Sequence, residues 1–443
     1  MIALGPGCLL ATDRQPNIVF LLADDLGYGD LGCYGRENVQ TPHLDAMAES
    51  GVRFTAHYAN GPECSPTRAA FLTGRYQQWI GGLECAIGTG NLGRYDDAIR
   101  LRETNDLGLP TSIPTLPRLL KQAGYRTGLF GKWHLGYEPK FAPHLHGFDE
   151  CFYCIGGEMD YFHYIDNVAG YNLFRNGKPI SDNGYFTERM TEEALKFIRD
   201  QGSEPYFLYV PFTCVHSPFQ GPADKRPHPL PLDSSLWKQG QAPPDVYRAM
   251  IESMDDSVGR LLDSVDDQTL VIFASDNGGT KSARNDPFRG IKGSTFEGGI
   301  RVPAILRWPS QIEGGRICHV PTLTFDFTKT IADVAGVTFP ESHPLEGDNL
   351  LAILDGTVPQ RTLYWRKPRG DQIWKGVREG SLKYIAMTKG NQQREYLFDL
   401  SVDPGESQDL LNIQRRDADR LRKKFEVWEA TTRQNRRGRP GQR

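Results

Sequence analysis

The chain has 443 residues, 39% hydrophobic and 11% aromatic, enough for a real core and for two domains or one large domain with an appendage. A formal net charge of -4 removes the electrostatic case for nucleic-acid binding, and no apolar run approaches the length of a transmembrane helix. The eight cysteines are scattered; Cys151 and Cys154 are the one close pair, too little for a zinc site, so ordinary buried thiols are the expectation.

Met1 to Arg14 has a short apolar patch at Leu9 and Leu10 but neither the basic start nor the full apolar segment of a secretion signal. Asn17 to Ala23 is a continuous apolar run, as in a strand buried on both faces. It ends in Asp24-Asp25. A helix cap explains one aspartate more easily than two, and open α/β sheets hold ligands at the carboxyl ends of such strands. Thr41 to Gly51 predicts a helix capped by Thr41, opened by Pro42 and closed by Gly51, with His43 on the surface.

A second helix begins at Cys64-Ser65-Pro66-Thr67-Arg68. Pro66 suits its first turn, Ala69 to Leu72 continue it and Gly74 can end it. Cys64 thus stands at a helix N-terminus, where free N–H groups favour an anion, and Arg68 follows one turn on. A small buried hydrophobe and a low-pKa thiolate both remain open readings of Cys64 at this point.

Residues 79–110, rich in Gly, Asn and charge, read as a long loop on the substrate side, with disorder over 91–106 as the competing reading. A helix over 114–124 and a strand over 125–130 lead to Gly131-Lys132-Trp133-His134-Leu135-Gly136, in which Lys132 and His134 alternate and can point the same way. Residues 156–163 read as a packed aromatic loop, or else as one that meets a sugar. A helix over 187–201 and a strand over 206–210 precede His216; 221–243 is a Pro-rich rim loop; 244–265 is a long helix with Met250 and Met254 as core filler. Leu270 to Ala274 is another buried strand and delivers Asp276 and Asn277. Lys292 and the run Glu297-Gly298-Gly299-Ile300-Arg301-Val302-Pro303 follow.

After a helix over 326–335, residues 340–360 are linker-like. Short strands, a turn at Asp403 to Glu406, a charged helix over 415–430 and a basic frayed end close the chain. The expected division is a tail at 1–15, an α/β domain over 16–340, a C-terminal α+β subdomain over 341–430 and a basic tail at 431–443.

Four buried strands therefore end in Asp24/Asp25, Lys132/His134, His216 and Asp276/Asn277. In a parallel sheet those ends share one edge. Three carboxylates gathered there repel one another by about 4 kcal/mol per pair at ~4 Å and an effective dielectric near 20. A hard dication relieves this, with Ca²⁺ expected and Mg²⁺ its rival, because Asp and Asn offer only oxygen.

Cys64-x-Pro66-x-Arg68 with Leu72-Thr73-Gly74, together with Asp24-Asp25, the hexad 131–136, the His216-x-Pro218 segment and Lys292 ahead of Glu297-Gly298-Gly299, resembles the formylglycine-dependent (type I) sulfatases. The likeness spans nearly the whole chain; Thr67 stands where many members have Ser. It implies an alkaline phosphatase-like fold, a large mostly parallel sheet flanked by helices with a small antiparallel sheet and helix at the C-terminus. It implies a Cys64 oxidised to formylglycine by a maturation enzyme, whose hydrate attacks sulfur, and a metal held by Asp24, Asp25, Asp276, Asn277 and residue 64. Arg68 and Lys132 would orient hydrate and sulfate, Lys292 and His216 would screen the sulfate and protonate the leaving oxygen, and His134 would deprotonate the remaining hydroxyl. The loops 79–110, 156–170 and 221–243 would set the substrate, and their polar and aromatic content fits a sulfated carbohydrate better than a lipid. Export is implied by the resemblance alone. The rivals are a phosphonate or phosphate ester hydrolase on the same scaffold and a non-catalytic sulfated-glycan-binding protein.

Overall fold

The computed structural model describes residues 15–88, 95–166, 170–357 and 360–434. The expectations for Met1 to Arg14 and for the tail from 435 onward lie outside these residues.

Ten strands form the main sheet: β1 (Ile18–Ala23), β2 (Val52–Phe54), β3 (Arg126–Lys132), β4 (Glu150–Cys154), β5 (Leu173–Arg175), β6 (Lys178–Pro179), β7 (Tyr206–Pro211), β8 (Leu270–Ser275), β9 (Ala304–Arg307) and β10 (Arg316–Cys318). Their order is β10-β2-β9-β8-β1-β7-β3-β4-β5-β6. The five neighbours β8, β1, β7, β3 and β4 run parallel, and β9 and β5 are antiparallel to the strands on either side. Parallel neighbours need crossovers, and the helices supply them.

The helices are α1 (Pro42–Glu49), α2 (Cys64–Thr73), α3 (Asp96–Glu103), α4 (Leu116–Gln122), α5 (Phe186–Arg199), α6 (Pro244–Leu262), α7 (Glu297–Ile300), α8 (Thr324–Val334), α9 (Leu350–Leu354) and α10 (Arg415–Gln434). Side chains alternate along a strand, so β1 feeds two cores. Ile18, Phe20 and Leu22 pack with α2, α4 and α8; Val19, Leu21 and Ala23 pack with α1, α5 and α6. Met250 and Met254 lie fully buried in the second core, as expected.

Three local expectations need correction. The N-terminus of α1 is capped by Asp255 on α6, whose carboxylate accepts from the N–H groups of His43 and Leu44 at 3.0 and 2.8 Å; Thr41 instead turns its hydroxyl to Asp45. His43 is half-buried against Gly259. The segment 79–110 is not all loop: α3 lies within it, and Ala98 and Leu101, three apart, sit in the main core. The linker-like 340–360 contains α9, capped by Asn349 and anchored by Leu350 and Ile353. α3 hides in polar surroundings because two apolar side chains suffice to dock it, while α9 is apolar throughout but only five residues long.

At the C-terminus, β11 (Thr362–Arg369), β12 (Gln372–Glu379), β13 (Leu382–Lys389) and β14 (Gln392–Asp399) form an antiparallel meander covered by α10, which runs through residues 431–434. The sheet docks through Trp365, whose indole N–H reaches the Ala59 carbonyl at 2.9 Å. A fully buried charge cluster reinforces the seam. Lys383 Nζ lies 2.6 Å from Glu297 and 2.9 Å from Glu406, and the Tyr58 hydroxyl donates to Glu297 at 2.6 Å.

Candidate active site

Helix α2 starts at Cys64 and ends at Gly74, whose φ of 66° places it in the left-handed region that glycine tolerates. Every residue of α2 is buried, so its N-terminus opens into the protein, above the ends of β1 and β8. Cys64 Sγ lies 3.3 Å from Asp24 Oδ1 and 3.6 Å from Lys292 Nζ. Burial, then the charges of Asp24 and Asp276, push its thiol well above the usual range, so it is neutral.

The four strand ends converge as expected. Asp24 follows β1, Lys132 ends β3, and Lys132 Nζ donates to Asp24 Oδ2 at 2.5 Å with both side chains fully buried. Arg68 reaches Asp276 after β8, with Nε and Nη2 at 3.0 and 2.7 Å from Oδ2, and also donates to the Lys132 carbonyl at 3.1 Å. Lys292 Nζ stands 2.7 Å from Asp25 Oδ1 and 2.9 Å from Oδ2. Burial alone would raise the Asp25 pKa, but Lys292 and then His216 outweigh it and hold it at about 2. Asp276, where burial and Asp24 outweigh Arg68, is pushed up to about 6.

Both histidines are neutral, with assigned tautomers. His134 Nε2 donates to the Ile87 carbonyl at 2.6 Å, leaving Nδ1 with a lone pair and no partner among the described residues. Burial and the Lys132 charge hold it well below the usual range. His216 donates from Nδ1 to the Ser217 carbonyl at 2.7 Å and accepts at Nε2 from Gln239 at 2.9 Å. Burial and Lys292 lower it to about 3.

Asp24, Asp25, Cys64 and His216 offer ligand atoms that all lie within 4.8 Å of one another, a grouping that takes in His216, which was not among the expected ligands. Asp276 stands beside it, with Oδ1 accepting from the Asp25 N–H at 3.3 Å. Asn277 gives its amide N–H to Asp25 at 2.8 Å and keeps a buried Oδ1 with no partner among the described residues. An orphaned carbonyl oxygen beside three carboxylates fits a hard divalent cation. Three carboxylates (Asp24, Asp25, Asp276) meet three cations (Arg68, Lys132, Lys292), so a dication would leave the pocket positive and ready for an anion.

Several contributors carry no sequence signal. Gln239 comes from the rim loop 221–243. Glu63, just before the helix, accepts from the Ala86 N–H at 2.7 Å and from Arg369 at 2.6 Å. Ser65 bridges the Ile87 N–H (3.2 Å) and the His134 carbonyl (2.9 Å). The 156–163 segment packs as an aromatic loop: the Tyr161 hydroxyl holds the turn carrying His216 through the carbonyls of Thr213 (2.7 Å) and His216 (3.1 Å).

This sheet, with its charged carboxyl edge facing a buried helix N-terminus, defines an alkaline phosphatase-like ester hydrolase. The Sulfatase family model matches residues 16–337, and the model described as N-sulphoglucosamine sulphohydrolase, C-terminal, matches 292–430. Human N-acetylgalactosamine-6-sulfatase is 35% identical over 387 residues, covering 81% of this chain and 69% of that protein. The crystal structure of Ps i-CgsB with k-i-k-neocarrahexaose aligns at TM-score 0.82 and 30% identity, covering 96% and 94% of the two chains. The phosphonate monoester hydrolase of Agrobacterium radiobacter shares the fold at TM-score 0.65 and 20% identity, over 94% and 96%. The chain belongs to the sulfatase family, which generally uses formylglycine and a divalent metal, and is a sulfuric ester hydrolase.

Proposed function

We propose that this protein removes sulfate from a sulfated carbohydrate, using Cys64 converted to formylglycine by a maturation enzyme and a hard divalent cation, Ca²⁺ before Mg²⁺. The observation that carries the reading is residue 64 at a buried helix N-terminus, with Asp24 at 3.3 Å and Lys292 at 3.6 Å. When present, the hydrated aldehyde supplies an oxygen nucleophile together with a second hydroxyl that allows sulfate to be expelled, and the metal supplies charge to polarise it. Asp24, Asp25, Asp276 and Asn277 would hold the cation.

Arg68 and Lys132 orient the oxygens of the nucleophile and the sulfate. Burial opposes the charge on Lys292, but Asp25 keeps its pKa well above the usual range, so it arrives protonated as donor for the leaving oxygen. His216, neutral with Nε2 accepting from Gln239, would act on the leaving oxygen only after taking up a proton at Nε2. His134 presents its Nδ1 lone pair as the base for the remaining hydroxyl.

The sugar assignment is supported by the sulfated sugar that gives N-acetylgalactosamine-6-sulfatase its name and by the k-i-k-neocarrahexaose bound in the Ps i-CgsB structure. We also propose export and the division into a catalytic part, 16–340, and a closing part, 341–430. Among the described residues no helix is long and apolar enough to cross a membrane. The test joins two measurements on protein co-expressed with a formylglycine-generating enzyme: the intact mass of the peptide containing residue 64, and turnover of 4-nitrophenyl sulfate against 4-nitrophenyl phosphate. Aldehyde at position 64 with faster turnover of the sulfate is expected. Converted protein that prefers the phosphate, or turns over neither, rejects the reading.

A further inference from the structure

The C-terminal sheet places a cation beside the nucleophile position that the reaction does not use. Glu63 immediately precedes Cys64 and is buried. Its Oε1 lies 3.2 Å from Lys367 Nζ and 2.6 Å from Arg369 Nη1, both on β11. Burial would raise its pKa, but Lys367 and then Arg369 hold it at about 2, so it is ionised.

One carboxylate thus meets two cations, and the trio carries one surplus positive charge. Lys367 cannot display that charge: its side chain is 5% exposed and donates to the Gly293 carbonyl at 3.1 Å. Arg369 can, because its side chain is 38% exposed. Only its Nη1 is engaged; among the described residues Nε and Nη2 have no partner. Glu63 needs Arg369 neither for neutrality nor for hydrogen bonds, since Lys367 and the Ala86 N–H already serve it. A strut explains one hydrogen bond and leaves the outward edge of the guanidinium unexplained.

We propose that Arg369 is a specificity-determining residue that binds a second anionic oxygen group, sulfate or carboxylate, on the same glycan as the scissile sulfate. The planar fork suits two-point recognition of either group, which a lysine ammonium does not reproduce. Its tie to Glu63 sets it beside the scissile position rather than in it, so it reads a neighbouring substituent. The proposal rests on the sulfatase reading above.

Matured wild type, Arg369→Gln and Arg369→Lys are compared on N-acetylgalactosamine 6-sulfate, its 4,6-disulfate, and the 6-sulfated disaccharide bearing a glucuronate. Wild type should favour at least one doubly charged sugar by about tenfold in kcat/KM, carried by KM. Raising the salt should erode that advantage. R369Q should bring the ratio close to one, and R369K should restore part of it; the disulfate and glucuronate arms tell which anion is read. Equal wild-type rates on all three sugars, turnover of none of them, or an unchanged ratio in R369Q overturns the proposal. Failure of the sulfatase reading shows differently, as no turnover of 4-nitrophenyl sulfate.

Discussion

Arg68 donates twice to a single oxygen of Asp276, from Nε at 3.0 Å and from Nη2 at 2.7 Å. The pair fastens the second turn of α2 to the end of β8, and with it the position of Cys64 one turn back, beside Asp24. Arg68→Ala removes the cation paired with the buried Asp276 carboxylate and leaves it the Asp25 N–H at 3.3 Å, a change that costs about 3–5 kcal/mol. The urea midpoint of the metal-free protein should fall accordingly, and kcat/KM on 4-nitrophenyl sulfate should drop at least about a hundredfold. Arg68→Lys keeps the charge without the fork and should fall between.

Chelation should abolish turnover, and Ca²⁺ should restore it. A readout that does not depend on chemistry is thermal: a cation that binds only the folded state raises the melting temperature with its concentration. Asn277→Ala removes the orphaned Oδ1 and should move the calcium dependence of that rise to roughly tenfold higher concentration. An unchanged titration would remove Asn277 from the ligand set.

His134→Ala deletes the unpartnered Nδ1 while leaving Lys132 and Arg68 in place. Stopped-flow mixing of the matured variant with a chromogenic sulfate should show a first release of alcohol followed by a much slower steady rate. A variant slowed equally in both phases would mean that His134 acts before the alcohol leaves.

Gly131 precedes Lys132 at φ 138°, and a Cβ there would lie 2.1 Å from the Pro211 carbonyl oxygen of the adjacent strand. Neither backbone can yield without shifting Lys132. Gly131→Ala should destabilise by at least about 2 kcal/mol and lower activity in the folded fraction.

Glu406 sits in the seam cluster with Glu297 and Lys383. Burial, offset only in part by Lys383, pushes it up to about 7 from an ordinary 4.5. Between those values the folded state keeps a proton that the unfolded state releases. Stability from this group is therefore fully present below about pH 4.5 and is lost as pH rises through 7, by up to about 3 kcal/mol. Glu406→Gln, which imitates the protonated form, should flatten urea stability across that window.

Much of the site was legible in the amino-acid order. Uninterrupted apolar runs marked β1, β7 and β8, and each run placed its polar tip at the sheet edge. Pro66 and Gly74 bracketed α2 because helix ends impose strong local preferences. These signals act within a few residues, so sequence alone carried the place of Cys64 at a helix start, the paired aspartates and the Lys132–His134 alternation. Tertiary structure alone decided the Asp255 cap on α1, the neutral tautomers of His134 and His216, the hold of Gln239 on His216, and the reach of Arg369 to Glu63 across 306 residues of chain. Each is a meeting of groups far apart along the chain. Hydrophobic periodicity says which face of an element is buried, while hydrogen bonds and charge compensation depend on which other element arrives there.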